Sequence, residues 1–193
     1  MQLAHPLILA SRSPRRIALL QQIGLRPSVV PCDVPEVMDS SLSPEQNAES
    51  LSVQKAQCAA KEVRDGIVLG ADTIVVINGE TLGKPADETD AVRMLRLLSG
   101  QTHTVHTGFA LLECPSGRLV SGVESTRVTF RTLPTEEIME YVRSGSPMDK
   151  AGSYGIQDDY GAVFVTRIEG CYYTVVGLPL ARVYQALRGF ARQ

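Results

Sequence analysis

IVLGADTIVVI, residues 67–77, decides how this chain folds. The run is almost uniformly apolar, as expected of one or two strands buried on both faces. Asn78-Gly79 follows it directly and signals a hairpin. A single charge interrupts the run. In an extended strand Asp72 shares a face with Val68, Gly70, Ile74 and Val76. A carboxylate in that much apolar surface is costly unless it is paired, hydrogen-bonded or bound to metal. Two readings stay open: a turn aspartate that caps backbone amides, or a metal ligand or general base.

Upstream, Leu7 to Ala10 reads as a short buried strand, followed by Ser11-Arg12-Ser13-Pro14-Arg15-Arg16. Ser13 suits an N-cap and Pro14 the first helical position. Ile17, Leu20 and Ile23 continue at helical spacing to Gly24. Strand, tight turn and helix start is an architecture that presents backbone N–H groups to phosphate. Two arginines in a helix's first turn oppose its dipole, a conflict that an anionic ligand would resolve. A solvated basic turn is the competing reading. Val29 to Cys32 is a second predicted strand, leading to an acidic loop with Asp33, Glu36 and Asp39. Ser43-Pro44 repeats the cap-then-proline signal and opens a helix to about Arg64. Lys55 falls inside its apolar stripe, between Leu51 and Ala59, where it either snorkels outward or meets something anionic.

Downstream, Asp87 to Leu98 is a predicted helix with an acidic first turn. His103–Cys114 and Arg118–Arg131 form a predicted antiparallel hairpin across Pro115-Ser116-Gly117. Pro134–Arg143 is helical. Val163–Ile168 and Tyr172–Val176 read as a further hairpin, and Pro179 opens a last helix. Strands and helices alternate with antiparallel pairs, which predicts a mixed-sheet α/β fold rather than a purely parallel one.

The 193 residues suffice for one domain, or two packed lobes, that buries about 70% of its unfolded surface. We take residues 1–193 as a single domain. With 19 Lys and Arg against 21 Asp and Glu, the net charge of -2 argues against bulk attraction to nucleic acid or an anionic membrane. No run is long enough for a membrane span and no leader is visible, so the cytoplasm is the expected compartment. Cys32, Cys58, Cys114 and Cys171 have neither zinc nor disulfide-framework spacing and are expected as reduced thiols. His5, His103 and His106 lack zinc spacing, and the last two are expected to be structural. There is no G-x-S-x-G elbow, no Walker loop and no dinucleotide fingerprint.

Arg15, Arg16, Lys55, Lys84 and Lys150 all stand near predicted element ends and together could cradle a triphosphate. Asp72 with Glu36 could hold Mg²⁺, which needs only one or two carboxylates beside phosphate and water. The stretch Asp149-Lys150-Ala151-Gly152-Ser153-Tyr154-Gly155-Ile156-Gln157 is rich in small residues and fits either a loop packed on a ligand or a tight surface turn.

In order along the chain, LILASRSPRR, GADTIV, GKP, LSGQTH, VTFRTL, DKAGSYGIQ and VVGLP make it resemble the Maf family of nucleoside triphosphate pyrophosphatases over nearly its whole length. The resemblance implies an α/β fold like that of inosine triphosphate pyrophosphatases, with two lobes around a deep cleft. It implies hydrolysis of a nucleoside triphosphate to the monophosphate and pyrophosphate with Mg²⁺, Mn²⁺ or Co²⁺. The DKAG-aromatic-GIQ segment looks like the branch acting on dTTP and UTP. The same match gives Asp72 the proton-acceptor role and ties Arg15, Thr73 and Gln157 to substrate choice. Ser11, Arg16, Lys55, Lys84 and Lys150 complete the expected substrate-binding set, with Glu36 and Asp72 on the metal. Arg12 departs from a position where glycine is common in relatives. A homodimer is also in keeping with the family. Two alternatives stand beside this reading: another base preference, such as 7-methyl-GTP, and a non-catalytic nucleotide-binding regulator of cell division.

Overall fold

A computed structural model describes residues 2–157 and 160–191. The elements run β1 (Leu7–Leu9), α1 (Pro14–Gln22), β2 (Ser28–Val29), α2 (Pro44–Ala60), β3 (Gly66–Ile77), β4 (Glu80–Leu82), α3 (Glu88–Leu98), β5 (Thr102–Cys114), β6 (Leu119–Phe130) and α4 (Thr135–Arg143). Two short 3₁₀ turns follow, at Ser146–Asp149 and Ala151–Ser153, then α5 (Gly161–Phe164), β7 (Val165–Glu169), α6 (Tyr172–Val176) and α7 (Leu180–Arg188). The fold is mixed α/β: seven strands in the order β2-β1-β3-β5-β6-β7, with β4 on β3. The chain groups into two compact units, 1–72 with 107–124 and 177–193, and 73–106 with 125–176. The division falls inside β3, between Asp72 and Thr73.

In the first unit β1 pairs in parallel with β2 and with β3, Ile8 opposite both Ser28 and Val68. Leu7, Ile8 and Leu9 are all buried, as a strand with neighbours on both edges requires. Because the three strands are parallel, their C-terminal ends lie on one side. There the chain leaves β1 into Ser11–Arg16, leaves β2 toward Glu36, and reaches Asp72 on β3. Helix α2 begins with a full capping box: the Gln46 N–H donates to Ser43 Oγ (3.2 Å) and the Ser43 N–H to Gln46 Oε1 (2.9 Å).

Two glycines let α2 lie unusually close to the sheet. A Cβ at Gly70 would collide with Ser52 O and stand 2.7 Å from Ala56 N; one at Gly108 would collide with Ala48 O. Ala56 and Ala59 then pack with Ile8, Ala10, Val68 and Ala110 in one buried cluster. Both colliding partners at Gly70 are backbone, which cannot swing aside. Gly70→Ala is therefore expected to destabilise the protein by about 1–3 kcal/mol, the usual range for overpacking. A denaturant midpoint unchanged from the parent would contradict this seating of α2.

In the second unit β3 turns back at Asn78-Gly79 into β4, Ile77 opposite Glu80. Asn78 has φ 51° and Gly79 φ 80°, the left-handed pair that such a turn demands. The interior is aromatic. Phe130 meets Tyr154 edge-on at 4.7 Å and Phe164 at 5.8 Å, and Tyr141 meets Phe164 at 5.2 Å. His103 belongs to this core: its Nε2 lies 2.7 Å from the Tyr154 hydroxyl. Burial pushes the His103 imidazole down to about 4, so it is neutral at physiological pH. His106 is also buried, its Nδ1 2.7 Å from Ser125 Oγ.

Several expectations are corrected. Tyr172–Val176 is helical, not a strand, and β7 pairs antiparallel with β6 (Val128 opposite Ile168). The apolar β-branched run misled because Thr126 turns the chain first: its Oγ1 accepts from the Cys171 N–H (2.9 Å) and donates to the Cys171 carbonyl (3.1 Å). The second strand is Ser28–Val29 rather than Val29–Cys32, and α2 ends at Ala60 rather than near Arg64. Ser13 stands at the N-cap of α1 but makes no side-chain cap bond. The structure places Cys32 and Cys58 side by side, their Cα atoms 6.0 Å apart, a pairing that the spacing argument did not foresee. The two cysteines are 26 residues apart, and no spacing rule links a loop cysteine to one in a helix at that distance.

Candidate active site

The first unit assembles five of the expected residues: Ser11, Arg16, Glu36, Lys55 and Asp72. With α2 seated on Gly70, Lys55 is carried to the next outward step of β3, where Asp72 stands. Lys55 Nζ donates to Asp72 Oδ1 at 2.5 Å and to Glu36 Oε1 at 2.6 Å. The lysine and Asp72 are nearly sealed, with side chains 10% and 8% exposed, whereas Glu36 is 46% exposed. The lysine in the apolar stripe thus does not snorkel; it meets two carboxylates.

Burial is the largest influence on Asp72 and raises its carboxyl above the ordinary range; Lys55, and more weakly Arg16, pull it back. A buried carboxylate held ionised by an ammonium and still more basic than a surface aspartate is suited to taking a proton. The capping-aspartate reading does not describe Asp72, since Lys55 is its hydrogen-bond partner and it lies within a continuous strand.

The turn before α1 is ordered by Ser11 rather than Ser13. Ser11 Oγ accepts from the Ser13 N–H and from Arg16 Nη1, each at 3.2 Å. Arg16 Nε donates to the Gly177 carbonyl at 2.9 Å, which explains why the VVGLP stretch accompanies the arginine turn. Burial lowers the Arg16 guanidinium, and the nearby negative charge of Asp72 is the first influence opposing it. The conflict between arginine and helix dipole is thus met in part by the carboxylates of the same cluster. Arg15 is half-buried on the same turn.

Thr73, Lys84, Lys150 and Gln157 belong to the second unit. Thr73 is half-buried on β3. Lys84 is exposed and follows Gly83, whose carbonyl accepts from the Gly152 N–H at 3.0 Å. A Cβ on Gly152 would sit 3.1 Å from Val75, so the glycine lets this segment lie on β3. Lys150 is buried and tied within its own turn, donating to the Ser146 carbonyl at 2.5 Å and to Asp149 Oδ1 at 2.8 Å. Gln157 is half-buried beside the buried Ile156. Tyr154, which the sequence offered for stacking on a ligand, is instead buried and anchors this segment in the core on His103.

Among the described residues no group of three or more His, Cys, Asp or Glu is arranged to hold a metal ion. Glu36 and Asp72 nevertheless converge on one cationic atom, Lys55 Nζ. Two such carboxylates fit Mg²⁺ or Mn²⁺ if phosphate oxygens and water complete the shell. No helix among the described residues is long and apolar enough to cross a membrane.

A mixed α/β sheet that gathers a lysine-held aspartate and a basic helix start at the ends of parallel strands has the layout of a small-ligand enzyme of the α/β class. The chain belongs to the Maf family: the family model described as Maf-like protein matches residues 6–190. It is 49% identical over 95% of its length to a dTTP/UTP pyrophosphatase of Chlorobium phaeovibrioides, covering 96% of that protein. It is 50% identical to the dTTP/UTP pyrophosphatase of Carboxydothermus hydrogenoformans, over 93% of this chain and 96% of that one. The dTTP/UTP pyrophosphatase of Pelotomaculum thermopropionicum is 46% identical over 95% and 96% of the two chains.

Proposed function

We propose that this chain is a cytoplasmic nucleoside triphosphate pyrophosphatase that hydrolyses dTTP and UTP to the monophosphate and pyrophosphate and so clears nucleotide pools. The observation that carries the reading is the buried Asp72 carboxylate on Lys55, in a chain about half identical to proteins of that name. Asp72 accepts the proton of the attacking water. Its raised basicity serves this step, and Lys55 stabilises the ionised form that must be present beforehand. Arg15, Arg16 and Lys55 offset the charge that builds on the phosphates as the bond to pyrophosphate breaks. Ser11 holds Arg16 in place for this task.

Glu36 and Asp72 would hold a divalent cation, which when bound neutralises phosphate charge and orients the attacked group. Thr73, Lys84, Lys150 and Gln157 serve substrate binding and choice. The Gln157 amide has both a donor and an acceptor, as a pyrimidine imide edge requires.

The test is pyrophosphate release from dTTP, UTP, CTP, ATP, GTP and 7-methyl-GTP with Mg²⁺ or Mn²⁺. Expected is one pyrophosphate per monophosphate from dTTP and UTP, with the purines poorly used. Preference for 7-methyl-GTP would move the chain to another substrate. Binding without release for every nucleotide would overturn the enzymatic reading in favour of a regulator.

A further inference from the structure

Cys32 and Cys58 lie on the two segments that bring Glu36 and Lys55 together. Cys32 opens the loop that carries Glu36, and Cys58 stands on α2 one turn beyond Lys55. Their Cα atoms are 6.0 Å apart, inside the span that a disulfide bridges. Cys32 packs against the cluster of Ala56, Ala59 and Ile8, which keeps its sulfur within reach of α2. Both cysteines are half-buried, within reach of a small thiol or disulfide, whereas Cys114 is buried.

We propose that Cys32 and Cys58 form a reversible thiol–disulfide pair that fastens the Glu36 loop to α2 and thereby sets the Lys55–Glu36–Asp72 cluster. Disulfides in reducing compartments are usually transient and regulatory, and a pair flanking a catalytic cluster suits that use. The bridge supplies a covalent hold beside an ion pair whose glutamate is 46% exposed, and contacts that open hold little by themselves. With the bridge reduced, the loop after Cys32 samples more conformations, and Glu36 spends less time on Lys55.

The co-reactant is a small-molecule disulfide. One protein thiolate attacks it, forming a mixed disulfide and expelling one small thiolate. The second protein thiolate then attacks the protein sulfur of that mixed disulfide and expels the other. The protein dithiol loses two electrons and two protons, and the small disulfide becomes two thiols.

The effect on turnover rests on the pyrophosphatase reading above; the bridge and its hold on the loop do not. The experiment equilibrates the full chain with graded ratios of oxidised to reduced glutathione. It then reads alkylatable thiols by mass spectrometry, protease cleavage within residues 33–43, and kinetics on dTTP with Mg²⁺. Expected is a species without intermolecular disulfides that, alkylated after denaturation, keeps only Cys114 and Cys171 reactive, and that in its native state resists cleavage in the loop. Its KM should be lower than that of the reduced form by roughly three- to tenfold, the worth of one immobilised side chain, with kcat less changed. Cys58→Ser should show none of these responses, and Cys171→Ser all of them. Absence of the bridge at every ratio, or a bridge that leaves loop cleavage unchanged, would overturn the proposal. Thiol and protease responses in a protein that hydrolyses no nucleotide would uphold the pair and sink the catalytic reading instead.

Discussion

Asp72→Asn is expected to lower kcat on dTTP and UTP by roughly 10²–10⁴-fold, the usual contribution of a general base, while the protein stays folded. The amide has nearly the same shape but cannot accept the water's proton. Stability should hold because burial, which raises the Asp72 carboxyl, outweighs the pull of Lys55 in the opposite direction. A neutral group is therefore not costly at this point of β3. Lys55 retains Glu36 at 2.6 Å. The measurements are steady-state pyrophosphate release and a thermal melt on the same preparation. A folded variant that keeps full turnover would remove Asp72 from the mechanism.

Lys55→Met should be the most damaging single change to stability, costing about 3–5 kcal/mol, as expected when one partner of a buried pair is lost. It leaves Asp72, with its 8% exposed side chain, without its nearest cation. The surviving activity should show the sign of the shift. Asp72 is already raised by burial, and Lys55 is the largest influence opposing that rise. Without the lysine the carboxyl rises further, so the acid limb of kcat/KM, where protonation removes the base, moves to higher pH. Lys55→Met combined with Asp72→Asn should unfold less readily than Lys55→Met alone, because the uncompensated charge is gone. An unshifted acid limb in Lys55→Met would mean that Asp72 does not govern it.

Much of the architecture was legible because it depends on local rules. Ser43-Pro44 with Gln46 spells a capping box, and the structure contains both of its bonds. Asn78-Gly79 spells the turn between β3 and β4, and both residues take left-handed backbone angles there. The strand–turn–helix of residues 7–22 follows from an apolar triplet, a proline and a helical repeat. Reading failed where a distant contact overrides local preference. Tyr-Tyr-Thr-Val-Val would suit a strand, yet the turn that Thr126 imposes on Cys171 starts a helix instead. The Ser11–Arg16 turn was located correctly, but which serine orders it depends on where Arg16 is drawn, and Gly177 draws it from far along the chain.

By itself the sequence determined most of the elements up to α4, the mixed α/β class, the family resemblance and the one aspartate that a buried strand should not contain. These need only neighbouring residues, since capping, turn geometry and apolar period act over a few positions. The partner of that aspartate, and hence its basicity, was decided by tertiary structure alone. Lys55 is separated from Asp72 by 17 residues and a change of element. It arrives because Gly70 and Gly108 lack the side chains that would hold α2 off the sheet. A pKa depends on what lies within a few ångströms in space and on how much water remains there, and neither is written in the order of residues.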